Sequence, residues 1–527
     1  MSTCHPSTEP LYKEVVWHMT IKTPLHVGSG DKLVWGKDVF FDAGRAHVID
    51  LGRAFDALEK EQASSNSPDR HKSALLADLD RVMMRDSAKS FQELWGARSR
   101  DGIVLYSMPC TGGELAARGP DAKAELRTFM RDAFQRPFLP GSTLKGAIRT
   151  ALLMEVAERN ESVKDAFRVA TATKQKSPDT RAQHLAFRSN GKEPEKKDAI
   201  EAIEDVLRHL HVPDVYIPPD CIEVRSVAIA SMGNPDGDDW GWKERPTKNQ
   251  AHWKGGLRIV LESIRPGTEL RIPLRIDARR LRPDWLHIPK EDLKGRVVQD
   301  FSNRRALLEN HLFNAIKKHG RRIFEHDQTL FLRRSKNLPP GLTKTLHTLT
   351  QSTSSAGDMA LLPVAWGIGW RGMTGAVFER LDNSTGERER NVCAHDPPTL
   401  RRLRTTSGMG KTEYPIFPKT RRLALDQTDP TLPMGWVSIR PWAANDAVGT
   451  VATVRMPSRN ATVQIKLEGQ NKNGTWRGVI LGYGARGYID PKSAPPDLRA
   501  GQVVTATVEI VPVSKDAPCG LTFKSTT

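Results

Sequence analysis

Alternating apolar and polar residues predict β-strands in the longer, N-terminal part of the chain. The clearest are VVWHMTI at residues 15–21, VFFDAGRAHVID at 39–50 with a turn at 42–44, and LRIPLRI at 270–276. Successive side chains of a strand point to opposite faces, so each segment can bury its apolar side. The β-rich runs at 221–229 and 257–264 predict further strands.

Apolar residues spaced three and four apart predict helices at 72–84, 142–159, 198–210 and 303–318. In the last of these, Leu308, Leu312 and Ile316 share one face, as expected of a helix with one buried side. The polar segments 171–197 and 383–412 show neither period, and we expect them to be loops.

The pattern changes near residue 440. Short β-rich runs at 449–455, 461–467, 475–481, 503–511 and 521–524 are separated by turns that contain glycine. Several short strands at such spacing are typical of a small barrel. The last 85 or so residues are therefore predicted to form an appended all-β domain.

The charge of the chain indicates a polyanionic partner. Lys and Arg number 79 against 62 Asp and Glu, a net charge of +17. Residues 241–349 hold 24 of the basic and only 11 of the acidic residues, with five basic doublets between 279 and 334. A single doublet is often just a solvated face, but five in so short a segment favour a surface that follows phosphates.

The remaining composition excludes several classes of protein. A content of 38% apolar and 27% charged residues is typical of a globular chain. No run of about 18 apolar residues predicts a membrane span, and the polar segment 1–10 does not resemble a secretory signal. The five cysteines are scattered without a CxxC pair, so we expect a cytoplasmic protein with no metal and no cofactor.

The first motif is TPLHVGSG at residues 23–30. Glycines such as Gly28 and Gly30 let main-chain N–H groups approach a ligand closely, which suits phosphate. The alternative is an ordinary hairpin turn. His26 is more often a structural hydrogen-bonding residue than a catalyst in such a position.

The second motif is FLPGSTLKGAIR at residues 138–149. The Pro-Gly turn followed by Ser142 predicts a helix start with Ser142 as N-cap. Free N–H groups there, beside Thr143 and Lys145, predict an anion site, and Arg149 lies one turn further on the same face. The alternative is capping alone.

The third and fourth motifs combine glycine, tryptophan and basic residues. WGIGWRGMTG at 366–375 can hold a nucleic-acid backbone and stack a base. FPKTRRL at 417–423 and PMGWV at 433–437 provide Lys419, Arg421 and Arg422 as phosphate contacts. The alternative for the fourth motif is a basic turn before a final strand.

Together and in this order, the four motifs resemble the RAMP superfamily of CRISPR effector proteins, most closely the fifth-subunit family of the type III-A (Csm) complex. The resemblance extends over residues 11–440. It implies an α+β fold with a ferredoxin-like (RRM-like) core and helical insertions near 51–130, 160–215 and 280–350. The domain at 441–527 resembles an OB or cold-shock barrel.

The resemblance also implies a function. Such a subunit caps the 3′ end of the crRNA, contacts the backbone RAMP subunits and supports complex assembly and crRNA maturation in antiviral defence. Target RNA and recruited maturation nucleases are further expected partners, and a membrane is not. The predicted RNA-binding residues are His26, Gly28, Ser29, Gly30, Ser142, Thr143, Lys145, Arg149, Gly367, Gly369, Trp370, Arg371, Lys419, Arg421 and Arg422.

Two alternatives remain open at this stage. Backbone RAMP subunits cut target RNA with an acidic residue after their first motif, and Asp38 has roughly that spacing, so Asp38 and His26 are the catalytic candidates of an endoribonuclease. The barrel can bind RNA or a protein. Its candidates for RNA are Trp476, Arg477, Tyr483 and Tyr488.

Overall fold

The computed structural model describes residues 13–63, 91–96, 99, 102–112, 115, 124–163, 165–166, 180–188, 204–234, 237–245, 248–288, 301–333, 339–354, 359–372, 420–426, 428–443, 460, 462–470, 473–480, 486–510 and 519–526. By its internal contacts the chain divides into two units, Met1–Trp442 and Ala443–Thr527. Each unit is described by itself.

The first unit mixes strands and helices. Its strands are β1 Lys13–Ile21, β2 Gly28–Val34, β3 Val39–Asp42, β4 Arg45–Ile49, β5 Val104–Thr111, β6 Glu125–Phe129, β7 Phe138–Leu139, β8 Leu210–His211, β9 Val215–Tyr216, β10 Ile222–Asn234, β11 Gly237–Arg245, β12 Lys248–Gln250, β13 Arg258–Ile264, β14 Glu269–Ile276, β15 Ala360–Pro363, β16 Thr420–Asp426, β17 Asp429–Pro433 and β18 Trp436–Pro441. Its α-helices are α1 Leu51–Ala63, α2 Phe91–Trp95, α3 Gly141–Arg159, α4 Thr180–Phe187, α5 Phe301–Arg333, α6 Pro340–Ser354 and α7 Gly369–Gly372. An α+β fold is thus confirmed.

A five-stranded antiparallel sheet carries helices α3 and α5. Its strand order is β15-β18-β1-β14-β8. The alternation in β14 buries Leu270, Ile272, Leu274 and Ile276 on one face. On that side, Leu144 and Ile148 of α3 line a small apolar cavity together with residues of the sheet. Helix α5 places Phe313 against Trp17 of β1, with 6.2 Å between the ring centroids.

A second sheet carries strands from the first and fourth motifs. Its main path is β2-β6-β13-β10-β5-β4-β3, and β16 joins it through an antiparallel pairing with β10. Strand β6 runs parallel to β13 and antiparallel to β2. This order brings β2, from the first motif, beside β6, while β16, from the fourth motif, lies against β10.

The second unit is a closed barrel of five strands, β19 Thr462–Gln470, β20 Trp476–Ile480, β21 Arg486–Ile489, β22 Val503–Ile510 and β23 Cys519–Thr526. Around the barrel the order is β19-β20-β21-β23-β22, and β21 and β23 are parallel. Four of the predicted runs correspond to β19, β20, β22 and β23. The run 449–455 lies outside the described residues, and β21 was not predicted as a strand.

Several predicted elements differ from the structure. The segment 171–197 was predicted to be a loop, but helix α4 (Thr180–Phe187) lies within it. The described end of the predicted helix 198–210 is a 3₁₀ turn, Val206–His209, followed by a strand, because the Asp205 side chain caps the turn through the Leu207 N–H. The predicted helix 72–84 and the segment 383–412 lie outside the described residues.

Several basic residues in the segment 241–349 form ion pairs within the fold. Lys318 and Arg322 of α5 both form ion pairs with Glu158 of α3, and Lys318 also lies 2.9 Å from Glu155. Arg321 pairs with Glu325 at 2.6 Å. Both distant acids on α3 and a nearby acid on α5 thus neutralise these basic doublets. Among the described residues, no helix is long and apolar enough to cross a bilayer.

Candidate nucleic-acid interface

Three of the four motifs meet at one place, although hundreds of residues separate them in sequence. The Trp366 N–H donates to the His26 carbonyl at 3.0 Å. The Gly435 N–H donates to the Pro24 carbonyl at 2.9 Å. The first, third and fourth motifs are therefore fixed to one another through their main chains.

Glycine at position 367 is needed for this junction. Its φ of +107° is in the region that favours glycine, and a Cβ there would lie 2.6 Å from the Cβ of Met434. The third motif can therefore lie directly on the PMGWV segment. The next residues, Gly369–Gly372, form the short helix α7 instead of the predicted loop. The side chains of Trp370 and Arg371 lie outside the described part of the structure.

Two arginines lie close to the Trp366 ring. The guanidinium carbon of Arg422, on β16, is 4.2 Å from the ring centroid, and that of Arg127, on β6, is 5.7 Å away. Burial lowers the pKa of Arg422, and the positive charge of Arg127 lowers it further. Among the described residues, neither guanidinium has a carboxylate partner. We call Arg127, Trp366 and Arg422 the arginine–tryptophan site.

This site has the chemistry of a nucleotide contact. Two half-buried positive charges without acidic partners favour an anion beside them, because an anion relieves their mutual repulsion. An indole ring beside them can stack on a base. Arg127 was not among the predicted residues; the signal available in ELRTF at 125–129 is a single arginine in a short alternating strand.

His26 packs against Trp366 and is buried, so its side chain is not exposed to a ligand. Its side chain is 2% exposed, its Nδ1 donates to the Glu262 carbonyl at 2.7 Å, and its ring meets Trp366 edge-on at 5.6 Å. Burial lowers the pKa of His26 to about 4, so the imidazole is neutral at pH 7. The prediction of His26 as an RNA contact is therefore corrected to a structural role.

The GSG segment of the first motif is a bulged strand and not the predicted turn. Strand β2 pairs with β6, and its register shifts between Gly28 and Lys32. The Ser29 hydroxyl lies 2.5 Å from the Thr128 hydroxyl, and Gly30 is exposed with φ +100°. These residues lie on the strand next to Arg127, and so they remain candidates for a nearby backbone contact.

Asp38, the catalytic alternative, holds a turn. Its Oδ2 accepts the Val34 N–H at 2.8 Å, and its own N–H donates to the Val34 carbonyl at 2.8 Å. Together with the buried, neutral His26, this arrangement gives no exposed acid and base pair for RNA cleavage. Among the described residues, no cluster of three His, Cys, Asp or Glu side chains can hold a metal.

The helix start of the second motif already has an anionic partner. Helix α3 begins at Gly141, with Pro140 at the N-cap position and no capping side chain there, so the prediction of Ser142 as N-cap is wrong. Instead, Oδ1 of Asp214 accepts the Gly141 N–H at 2.8 Å. The Thr143 N–H bonds to the Pro140 carbonyl. A carboxylate of this chain thus occupies the place that was predicted for phosphate.

The basic residues of α3 are used inside the fold. Arg149 pairs with Asp205 at 2.6 Å, bonds to Gln183 at 2.9 Å and lies over the ring of Phe187 at 4.4 Å. Burial lowers the pKa of Lys145, which is half-buried. Arg149 therefore ties α3 to α4, and its predicted RNA contact is corrected.

The two arginines of the fourth motif have different surroundings: Arg421 is paired inside the fold, and Arg422 belongs to the arginine–tryptophan site. Arg421 pairs with Asp327 of α5 at 2.7 Å and is largely buried, so its predicted RNA contact is corrected as well. Arg422, the next residue of β16, points to Trp366 as described above. Lys419 lies outside the described residues.

In the barrel, one of the four candidates is excluded and two lie side by side. Trp476 is 8% exposed and belongs to the barrel core, so it is not a stacking platform. Arg477, which is exposed, is the cross-strand partner of Tyr488. Tyr483 lies outside the described residues.

A buried network beside the site was not predicted from the sequence. Glu262 is fully buried; its Oε2 accepts the Phe129 N–H at 3.0 Å and lies 3.1 Å from Arg131. Its Oε1 accepts the Tyr106 hydroxyl at 3.0 Å. These bonds tie β5 and β13 to β6, the strand that carries Arg127. The sequence gives no local signal for these bonds, since the bonded residues are more than 100 positions apart.

Comparison with known proteins agrees with this geometry. The family profile of the RAMP superfamily matches residues 18–320. The CRISPR system Cms protein Csm5 of Streptococcus thermophilus is 27% identical over 141 residues, 25% of this chain and 35% of that protein. The Csm5 protein of Methanocaldococcus jannaschii is also 27% identical over 141 residues, 26% of this chain and 30% of that protein. The matched segment spans about a third of the length of these relatives.

A solved structure shows the same fold. It is the cryo-EM structure of a Csm–crRNA–target RNA ternary complex of a type III-A CRISPR-Cas system. One chain of that complex aligns along 100% of its own length with 81% of this chain, with a TM-score of 0.56 and 20% identity. The family profile covers more than half of the chain, and three of the four motifs that suggested the resemblance meet in the folded protein. The chain belongs to the RAMP superfamily.

Proposed function

We propose that this chain is a non-catalytic, RNA-binding subunit of a type III CRISPR ribonucleoprotein. In this role it caps the 3′ end of the crRNA and supports assembly of the complex and crRNA maturation in the cytoplasm. Its partners are the crRNA, the backbone RAMP subunits and other subunits, with target RNA and maturation nucleases as further partners. Support comes from the RAMP family match and from the Csm5 relatives.

The observation that carries the proposal is the arginine–tryptophan site. Arg127 and Arg422 lie 5.7 and 4.2 Å from the Trp366 ring, and neither has a carboxylate partner among the described residues. Phosphate neutralises such a pair, and a base stacks on the indole. The site therefore suits a sugar–phosphate backbone with at least one unpaired base.

We extend the proposal to the finer fold. In the five-stranded sheet, β18, β1, β14 and β8 lie side by side, with α3 following β1 and α5 following β14 in the chain. Taken as the strands of a βαββαβ unit, these have the order 4-1-3-2, which supports a ferredoxin-like core. Residues 1–440 would then be the RAMP body with its insertions near 51–130, 160–215 and 280–350.

The barrel at 441–527 is proposed to be OB-like. Its first strand pairs with the second and the fourth, and its third strand runs parallel to the fifth. Adjacent Arg477 and Tyr488 on β20 and β21 support an RNA contact there. OB-type barrels bind single strands on such a face.

A binding titration tests the proposal. The affinity of the chain for the crRNA 3′ region should fall steeply with salt, by filter binding between about 50 and 200 mM salt. Arg127→Ala with Arg422→Ala should weaken binding by roughly 10-fold or more and reduce the salt slope by about 0.7 for each lost phosphate contact. The matched control is Arg53→Gln, an exposed arginine paired with Asp50. Equal affinity of the double variant and wild type would contradict the assignment of the site.

The endoribonuclease alternative is tested separately. Labelled crRNA and target RNA are incubated with wild type and with Asp38→Asn. We expect no cutting by either protein, because Asp38 is engaged by the Val34 main chain. Cutting by wild type that disappears in the variant would favour the nuclease.

A further inference from the structure

The tight turn before the second motif displays an aromatic ring to solvent. Phe134 is 80% exposed, the highest exposure among the large apolar side chains of the described residues. The turn joins β6 to β7, and so it leads directly into the second motif. The proposed RNA site uses no residue of this turn.

The turn is rigid despite its exposure. One carboxylate oxygen of Asp132 accepts the N–H groups of both Phe134 and Arg136 at 2.9 Å. The Gln135 N–H donates to the Asp132 carbonyl, and Arg131 donates to the Gln135 carbonyl at 2.9 Å. Gln135 has a positive φ of 61°. The main chain that carries the ring is held in this way and loses little further freedom on binding, which favours the use of Phe134 as an anchor.

A small patch surrounds the ring. The Arg136 guanidinium lies between two rings, 5.4 Å from the centroid of Phe134 and 4.6 Å from that of Tyr216. Tyr216 is itself 39% exposed and lies 6.0 Å from Phe138, across the pairing of β7 with β9. We call Phe134, Arg136, Phe138 and Tyr216 the aromatic patch.

The charge of the aromatic patch favours protein over RNA. Arg136 is paired with Asp132 at 2.6 Å, so its positive charge is already compensated. The pair of Arg136 and Asp132 has little net charge and therefore attracts a phosphate only weakly. An exposed phenyl ring beside a compensated arginine and a tyrosine has instead the composition of a hot spot in a protein interface.

We propose that the aromatic patch is the surface by which this chain docks onto a neighbouring protein subunit of its ribonucleoprotein. The Phe134 ring enters an apolar pocket of that subunit, and Arg136 and Tyr216 form the polar edge of the contact. The inference rests on the proposed function, because it takes the partner from the same assembly.

Competitive assembly tests the docking surface. Equal amounts of wild type and Phe134→Ala are co-expressed with the crRNA and the other protein subunits, and the complex is purified through a tag on another subunit. Mass spectrometry then measures the ratio of the two forms. We expect at least a roughly 10-fold preference for wild type. Leu257→Ala, a second exposed apolar side chain, is the matched control and should enter as well as wild type.

Three results would overturn the inference. Equal entry of Phe134→Ala and wild type would remove the patch from the protein interface. Equal entry together with weaker crRNA binding by isolated Phe134→Ala would show that the ring stacks on a base. Failure of wild type itself to enter the complex would overturn the proposed function as well, and so the two failures are distinguishable.

Discussion

At the scale of single residues, the chemistry depends on which charges keep a partner inside the fold. Arg149 and Arg421 have carboxylates at 2.6 and 2.7 Å, whereas Arg127 and Arg422 lie beside the Trp366 ring with no carboxylate partner among the described residues. A guanidinium that is already paired gains little from a phosphate, because the phosphate must replace a carboxylate. The two site arginines are therefore the ones with the most to gain from RNA.

His26 gives a prediction for pH. Its folded pKa of about 4 lies below the ordinary value of 6.5, so its contribution to stability is present above pH 6.5 and is lost as the pH falls to 4. The full loss is about 3 kcal/mol. Denaturant unfolding of wild type and His26→Asn between pH 7 and 4 should show their difference in unfolding free energy shrink by that order. The control is His347→Asn at an exposed position, whose difference in unfolding free energy from wild type should stay the same between pH 7 and 4. A difference for His26→Asn that also stayed the same would refute the burial argument.

At the scale of elements, the start of α3 is capped from a distance. Asp214, which directly precedes β9, accepts the Gly141 N–H, and a Cβ at Gly141 would lie 1.9 Å from the Val212 carbonyl oxygen. The glycine thus lets the helix start approach the segment that carries its cap. The glycine of the conspicuous PGSTLKG sequence is therefore required for packing.

Two substitutions test whether Asp214, the observed cap, or Ser142, the predicted one, stabilises the start of α3. Asp214→Ala should lower the free energy of unfolding by about 1 kcal/mol, since it removes a carboxylate from a helix N-terminus. Ser142→Ala should cost less than about 0.5 kcal/mol, because its exposed side chain caps nothing. Chemical denaturation measures both. Neither should change crRNA affinity; a larger cost for Ser142→Ala than for Asp214→Ala would restore the local cap.

At the scale of the whole molecule, local patterns predicted elements well and their assembly poorly. The alternation of β1, β14 and the strands at 39–50 could be predicted, because each buries one face. The closing of the first, third and fourth motifs around Trp366 was not predicted, because hundreds of residues separate these motifs in the sequence. Arg127 was missed because its partners lie on β16 and after β15, and pairing over hundreds of residues leaves no local signal.

The same reason explains the corrected residues. Arg149, Arg421 and the doublets of α5 look free in sequence, but Asp205, Asp327 and Glu158 reach them from distant elements. Trp476 appears available beside Arg477, but the alternation of β20 turns it inward. Charge and aromatic content are local properties of the sequence, whereas the fold decides which of these residues stay accessible to a partner.

The most direct test is a crosslink in the assembled complex. A crRNA with 5-iodouracil at successive positions of its 3′ region is irradiated in the purified ribonucleoprotein, and crosslinked peptides of this chain are identified by mass spectrometry. We expect crosslinks at Trp366, since an indole that stacks on a base lies within reach of its iodine atom. Crosslinks confined to the start of α3, with none at Trp366, would contradict the account.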